Sequence, residues 1–173
     1  MKRITDYIHA GSVLDLGAGN GRHAFYFAER SFDVVAVESD AQKLEKLREE
    51  NASQTNKIAI VASDINSYAA DRQFDVVVCS MVLHFLAVGN VASMIEKMQS
   101  WTKAGGYNVV TAYTDKNKAG KRPYLFKHNE LQEFYRDWEI LSYREGLTPW
   151  MLKPGETVPR RNQAVYLMAR KSA

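Results

Sequence analysis

Residues 12–22 read Ser12-Val13-Leu14-Asp15-Leu16-Gly17-Ala18-Gly19-Asn20-Gly21-Arg22. The spacing predicts a short buried strand over 13–16, a glycine-rich turn, and a helix over 20–29. Three alternate glycines leave no side chain between backbone and ligand and tolerate dihedrals closed to other residues. The helix that follows offers free N–H groups and the positive end of its dipole to whatever occupies the turn. A nucleotide-type ligand fits such a turn. Asp15 narrows the choice, because an acid at the end of a buried strand needs a donor or a cation to offset its desolvation.

Working outward, strands are predicted over 33–37, 57–62, 74–79 and 107–113, with helices over 41–51 and 91–103 between them. Residues 65–70 are weakly helical, and Gly105-Gly106 reads as the stop of the helix before them. The fourth strand is apolar after Asp75, which predicts a central strand covered on both faces. This alternation predicts an α/β fold, a doubly wound and mostly parallel sheet with helices on both faces. The end of the chain breaks the rhythm. A short helix over 129–136 precedes strands over 138–144 and 163–169, joined by a long loop over 145–162 with Pro149, Pro154, Gly155 and Pro159. Two strands with no helix between them pair antiparallel at one edge of the sheet. Loops this long are often functional.

At 173 residues and 46% hydrophobic, the chain fits one domain over 1–173 with a substantial core. Its 23 basic and 20 acidic residues give a net charge of +3, too balanced to call for nucleic acid. Cys79 is the single cysteine, so no disulfide forms within the chain and a reducing cytoplasm suits it. No apolar run approaches a membrane span, and no signal-type stretch follows the basic Met1-Lys2-Arg3. The expectation is a cytoplasmic protein acting on a small-molecule substrate, with the oligomeric state open.

In a doubly wound sheet the ligand lies beyond the carboxyl ends of the strands. The residues expected to gather there are 17–21, Glu38, Asp64 and the run Ser80-Met81-Val82-Leu83-His84. Glu38 follows Gly17 by 21 positions, the spacing at which a carboxylate accepts hydrogen bonds from ribose hydroxyls. It would otherwise cap the next helix. Asp64 binds an exocyclic amine of a purine or caps the turn after it. The pattern Gly-x-Gly-x-Gly differs from the dinucleotide fingerprint Gly-x-Gly-x-x-Gly. Together with Asp15 it favours a sulfonium cofactor carrying an ammonium group over a pyrophosphate.

Residues 13–22 resemble motif I of the class I S-adenosylmethionine-dependent methyltransferases. Within that superfamily the chain resembles the tellurite-resistance methyltransferases. The matching residues are Gly19-Asn20-Gly21-Arg22, Val82-Leu83-His84-Phe85-Leu86, Met98-Gln99, Thr102-Lys103-Ala104-Gly105-Gly106-Tyr107-Asn108, Phe126-Lys127, Glu130-Leu131, Tyr135, Trp138-Glu139 and Met168-Ala169-Arg170-Lys171. The resemblance implies a seven-stranded sheet ending in the antiparallel pair, and S-adenosylmethionine as cofactor. It implies that Gly17, Ala18, Gly19, Asn20 and Gly21 lie against the methionine part. It also implies that Glu38 binds the ribose, that Asp64 and Ile65 flank the adenine, and that Ser80 and Met81 sit near the sulfonium; Ser39, next to Glu38, is a further cofactor-binding candidate.

Methyl transfer from a sulfonium is an in-line displacement in which alignment supplies much of the acceleration. A general base is needed only for an acceptor proton of high pKa. His84 and Tyr113 are the candidate catalytic groups, although either can serve simply as packing. Arg160 and Arg161, in the long loop, are the candidate anion site for the acceptor. A metalloid oxyanion and a thiol are the acceptors considered. An RNA or protein methyltransferase and a non-catalytic S-adenosylmethionine-binding protein are the alternatives.

Overall fold

The computed structural model describes residues 3–117, 122–150, 157–159 and 161–173. Its frame is one seven-stranded sheet. The strands are β1 (Ser12–Leu16), β2 (Asp33–Glu38), β3 (Ala59–Ala62), β4 (Phe74–Ser80), β5 (Thr102–Tyr113), β6 (Glu139–Leu147) and β7 (Gln163–Arg170). Their order across the sheet is β3-β2-β1-β4-β5-β7-β6. The first five strands are parallel, and β7 runs antiparallel between β5 and β6. The helices are α1 (Arg22–Ala28), α2 (Ala41–Ser53), α3 (Val88–Ser100) and the single turn α4 (Glu130–Glu133).

β1 is buried along its whole length and β4 nearly so, as their valine- and leucine-rich sequences predict for central parallel strands. Side chains of one parity pack with α3, including Val77, Cys79, Met94, Ile95 and Met98. Those of the other parity pack with α1, including Val76, Val78, Phe25 and Phe27. The sheet thus has a core on each face. On the α3 side a buried polar chain ties the start of β5 to its middle and to the turn after α4. The Thr102 hydroxyl lies 2.6 Å from Asn108 Oδ1, and Asn108 Nδ2 donates to the Tyr135 hydroxyl at 3.0 Å.

Four expectations are corrected. Gly105-Gly106 does not end a helix: α3 closes at Ser100 and β5 has begun by Thr102. Phe74 pairs with Thr102 but Val76 with Tyr107, so the residues between form a bulge. Gly105 supplies a φ of 72°, and a Cβ on Gly106 would stand 2.9 Å from the carbonyls of Asp75 and Lys103. Residues 65–70 are not helical, because Asp64 Oδ1 accepts from the backbone N–H of Asn66 at 2.7 Å and folds them into a turn. The helix expected over 129–136 shrinks to Glu130–Glu133, entered through Asn129 in the left-handed region. β6 continues to Leu147, so the connection to β7 starts at Thr148 rather than Glu145.

Tyr135→Phe keeps the packing but leaves Asn108 Nδ2 without its buried acceptor. It should lower unfolding free energy by about 1–3 kcal/mol in urea titration, with an unchanged m-value.

Candidate functional site

The turn after β1 is held by β2. The N–H groups of Gly17 and Ala18 both donate to the Val37 carbonyl, at 2.8 and 2.9 Å. Glu38, which ends β2 and is buried, grips the next step of the turn. Its Oε2 accepts from the N–H of Gly19 at 2.7 Å, and its Oε1 accepts from Ser39 and Asp40 at 2.9 Å each. Three of the roughly four acceptor positions of a carboxylate are therefore taken by backbone.

Two glycines of the turn have different tasks. At Gly17 (φ 69°) a Cβ would collide with Val82, whereas at Gly19 (φ 60°) it would project into open space. The open space is a cavity of about 740 Å³ at the carboxyl ends of the parallel strands. That volume lies within the usual range of about 300–1,000 Å³ for small-molecule sites. Gly17, Ala18, Gly19 and Asn20 line one part of it, Glu38 and Ser39 another, and Asp64, Ile65, Ser80 and Met81 a third. Met81 holds a φ of 61° with its N–H on the Thr111 carbonyl at 2.7 Å, and Ser80 Oγ lies 2.8 Å from Thr111 Oγ1. Ten of the twelve candidate cofactor residues thus meet at one cavity. Asp64 also caps its own turn.

The other two stand behind the wall. A Cβ on Gly21 would strike the Phe25 ring and Leu47, so Gly21 packs α1 against the sheet. Asp15 is 1% exposed, and its Oδ2 has no hydrogen-bond partner among the described residues. Burial pushes its carboxyl up to about 7, against the lowering influence of the Ala24 backbone N–H and the Arg22 charge. An uncompensated acid beneath the cavity wall favours a cation in the cavity.

His84 does not line this cavity. It is 1% exposed, stacks on Tyr113 with ring centroids 4.2 Å apart, and lies 4.4 Å from the Phe85 ring. Its Nδ1 accepts a long 3.4 Å bond from the N–H of Tyr113. Burial, aided by the Arg122 charge, lowers its pKa to about 4, so it is neutral at pH 7. Both side chains are placed as packing for the turn after β4. Arg161 Nε donates to the Thr148 carbonyl at 2.8 Å, and its guanidinium lies 5.4 Å from the Trp150 ring. It lines neither this cavity nor the smaller one beside it. Arg160 lies outside the described residues.

Several lining residues were not anticipated, among them Arg22, His23, Asn66, Phe85 and Asn90. Arg22 and His23 directly follow the glycine turn, a position from which the first helical turn faces the ligand. Arg22 Nη2 lies 3.0 Å from His23 Nε2, and burial with the Arg22 charge lowers the His23 pKa to about 4.

The strand order and the glycine turn at its carboxyl end define the Rossmann-like methyltransferase fold. The model of the tellurite resistance protein TehB family matches residues 2–153. The chain belongs to that family. A relative from Haemophilus influenzae, named a probable S-adenosyl-L-methionine-dependent methyltransferase TehB, is 34% identical over 138 residues, 78% of this chain and 48% of the relative. The crystal structure of TehB from Haemophilus influenzae superposes with a TM-score of 0.86 at 30% identity, covering 98% of this chain and 60% of that one. The fold also matches Burkholderia thailandensis 1,6-didemethyltoxoflavin-N1-methyltransferase, solved with 1,6-didemethyltoxoflavin and S-adenosylhomocysteine, at TM-score 0.70 and 18% identity over 95% of this chain and 72% of that one. The chain spans about half the length of the curated TehB relative.

Folded Asp15 keeps its proton up to about pH 7, whereas the unfolded chain releases it near 4. Folding therefore takes up a proton between these values. The stability of the neutral form is fully present below about 4 and is lost as pH rises through 7. In thermal unfolding of the ligand-free protein, Asp15→Asn should gain on the parent at pH 8, and the difference should shrink by pH 5. Gly17→Ala should cost more stability than Gly19→Ala in the same assay, since only the first adds a collision to the left-handed strain.

Proposed function

We propose that this protein is an S-adenosylmethionine-dependent methyltransferase acting on a small molecule, with a thiol and a metalloid oxyanion as the acceptors to try first. The observation that carries the reading is the orphaned Oδ2 of buried Asp15 beside a glycine turn that opens onto a ligand-sized cavity. A cofactor with an ammonium group and a sulfonium suits that uncompensated acid, and the bare backbone at Gly19 lets it approach closely. Membership of the TehB family supports the same cofactor.

In this reading the turn from Gly17 to Asn20 holds the methionine part, aided electrostatically by Asp15. Glu38 has one acceptor position left for a ribose hydroxyl after fixing Gly19, Ser39 and Asp40. Asp64 and Ile65 flank the base, and Ser80 and Met81 border the reacting end. When bound, S-adenosylmethionine supplies a methyl group that an acceptor nucleophile takes in line, the electron pair of the broken bond staying on the departing sulfur. The chain's own contribution is alignment and exclusion of water. His84, buried against Tyr113 and outside the cavity lining, packs the turn after β4 in this scheme and is not the base.

Calorimetric titration with S-adenosylhomocysteine tests the reading, and micromolar binding is the expected result. Glu38→Ala should weaken binding at least tenfold, because it removes both a ligand acceptor and the anchor of Gly19. Gly17→Val should abolish it. No binding at high micromolar ligand by the folded parent protein would refute the cofactor assignment.

A further inference from the structure

A second cavity of about 230 Å³ adjoins the first and shares Arg22, His23, Ser80 and Met81 with it. Its floor follows from strand register. Ser80 pairs with Thr111, Thr111 with Tyr166, and Tyr166 with Arg144. Residues directly opposite one another on neighbouring strands present their side chains on the same face. One row therefore crosses β4, β5, β7 and β6, from Ser80 at the first cavity to Arg144 at the sheet edge. The 2.8 Å contact between the Ser80 and Thr111 hydroxyls confirms the inner part of that row.

The lining is unbalanced in charge and mostly apolar in body. It holds two arginines, Arg22 and Arg144, and no carboxylate. The adjacent Glu145 points to the other face, where His128 Nδ1 (2.8 Å), the Tyr143 hydroxyl (2.6 Å) and the N–H of Asn129 (2.7 Å) engage it. It does not neutralise Arg144 across the cavity. Pro149, Ala164 and the Tyr166 ring supply apolar walls, while Val165, paired with Glu145, turns its side chain into the core on the other face. The volume equals roughly seven or eight waters' worth of liquid. A bare oxyanion fills only part of it.

We infer that this second cavity is the acceptor subsite, and that it takes a small organic acid whose apolar body lies along Pro149 and Ala164 and whose anionic group is held by Arg144. This rests on the methyltransferase reading above and narrows its acceptor class. The nucleophile of such an acid lies toward Ser80 and Met81, where the two cavities meet. Arg144 is a specificity-determining residue in this arrangement, because it lines the second cavity and not the first.

The probes are 2-mercaptobenzoate, its uncharged counterpart benzenethiol, and selenite as a bare oxyanion. Binding of each is measured by calorimetry with and without saturating S-adenosylhomocysteine. Turnover with S-adenosylmethionine is read as released S-adenosylhomocysteine. The expected order of kcat/KM places 2-mercaptobenzoate first. Arg144→Gln should lower its kcat/KM and its affinity roughly ten- to hundred-fold, as loss of a charge-assisted contact does. The same variant should leave benzenethiol and S-adenosylhomocysteine binding unchanged, and Arg144→Lys should recover part of the loss. Ala164→Leu, which narrows the cavity, should penalise 2-mercaptobenzoate and spare selenite. An equal effect of Arg144→Gln on acid and neutral thiol overturns the inference, as does preference for selenite or failure of the acid to bind in either condition. Failure of S-adenosylhomocysteine alone to bind overturns the cofactor reading instead, and the acid titration without it still reads the cavity.

Discussion

The carbonyl of Val37 and the carboxylate of Glu38 hold the glycine turn in place. Between them they accept the N–H groups of three consecutive turn residues, Gly17, Ala18 and Gly19. The end of β2 therefore sets the shape of the loop after β1, and a parallel pairing becomes a ligand-facing surface. Backbone donors that would otherwise be orphaned at a strand end are satisfied from the neighbouring strand. The turn has little freedom left to lose when a ligand arrives. Preorganisation of this kind is how a static scaffold contributes to displacement chemistry, whose main demand is alignment.

Asp15 is the counterweight. A buried acid with an unpartnered oxygen weakens the fold wherever it ionises, and nothing in the packing of β1 requires an acid there. Such a local cost is typical of a position kept for a ligand. Gly21 is the opposite case within the same motif. Its lack of a side chain serves the contact of α1 with Phe25 and Leu47. One short stretch thus contains a residue for the ligand, a residue for the turn and a residue for the core.

Much of this was legible in the amino-acid order, where local physics decides the outcome. Valine-rich runs became the buried parallel strands, and the helix-free end of the chain became the antiparallel pair. What stayed hidden depends on partners distant in sequence. Two adjacent glycines read as a helix stop, yet Gly106 is small because the Asp75 carbonyl passes 2.9 Å from its missing Cβ. The spacing of Glu38 pointed to a ribose but not to its grip on Gly19, which exists only because β2 lies beside β1. His84 stood in a run expected at the site, and its side chain turned inward onto Tyr113. Arg144 belongs to no motif, and only register across three strand pairings brings it into line with Ser80.

The placement of β7 between β5 and β6 has a consequence for biosynthesis. β6 leaves the ribosome before β7 exists, and its neighbour in the finished sheet is β7. The parallel half of the sheet can close while residues 139–147 still lack their pairing strand. Until residues 163–170 emerge, β5 also carries an open edge along its outer side. Unpaired edges of this kind are where a nascent chain is most prone to associate with its neighbours. The last of the seven strands therefore joins β6 to the parallel half of the sheet. Its arrival covers the outer side of β5 and the inner side of β6, and moves the open edges out to β3 and β6.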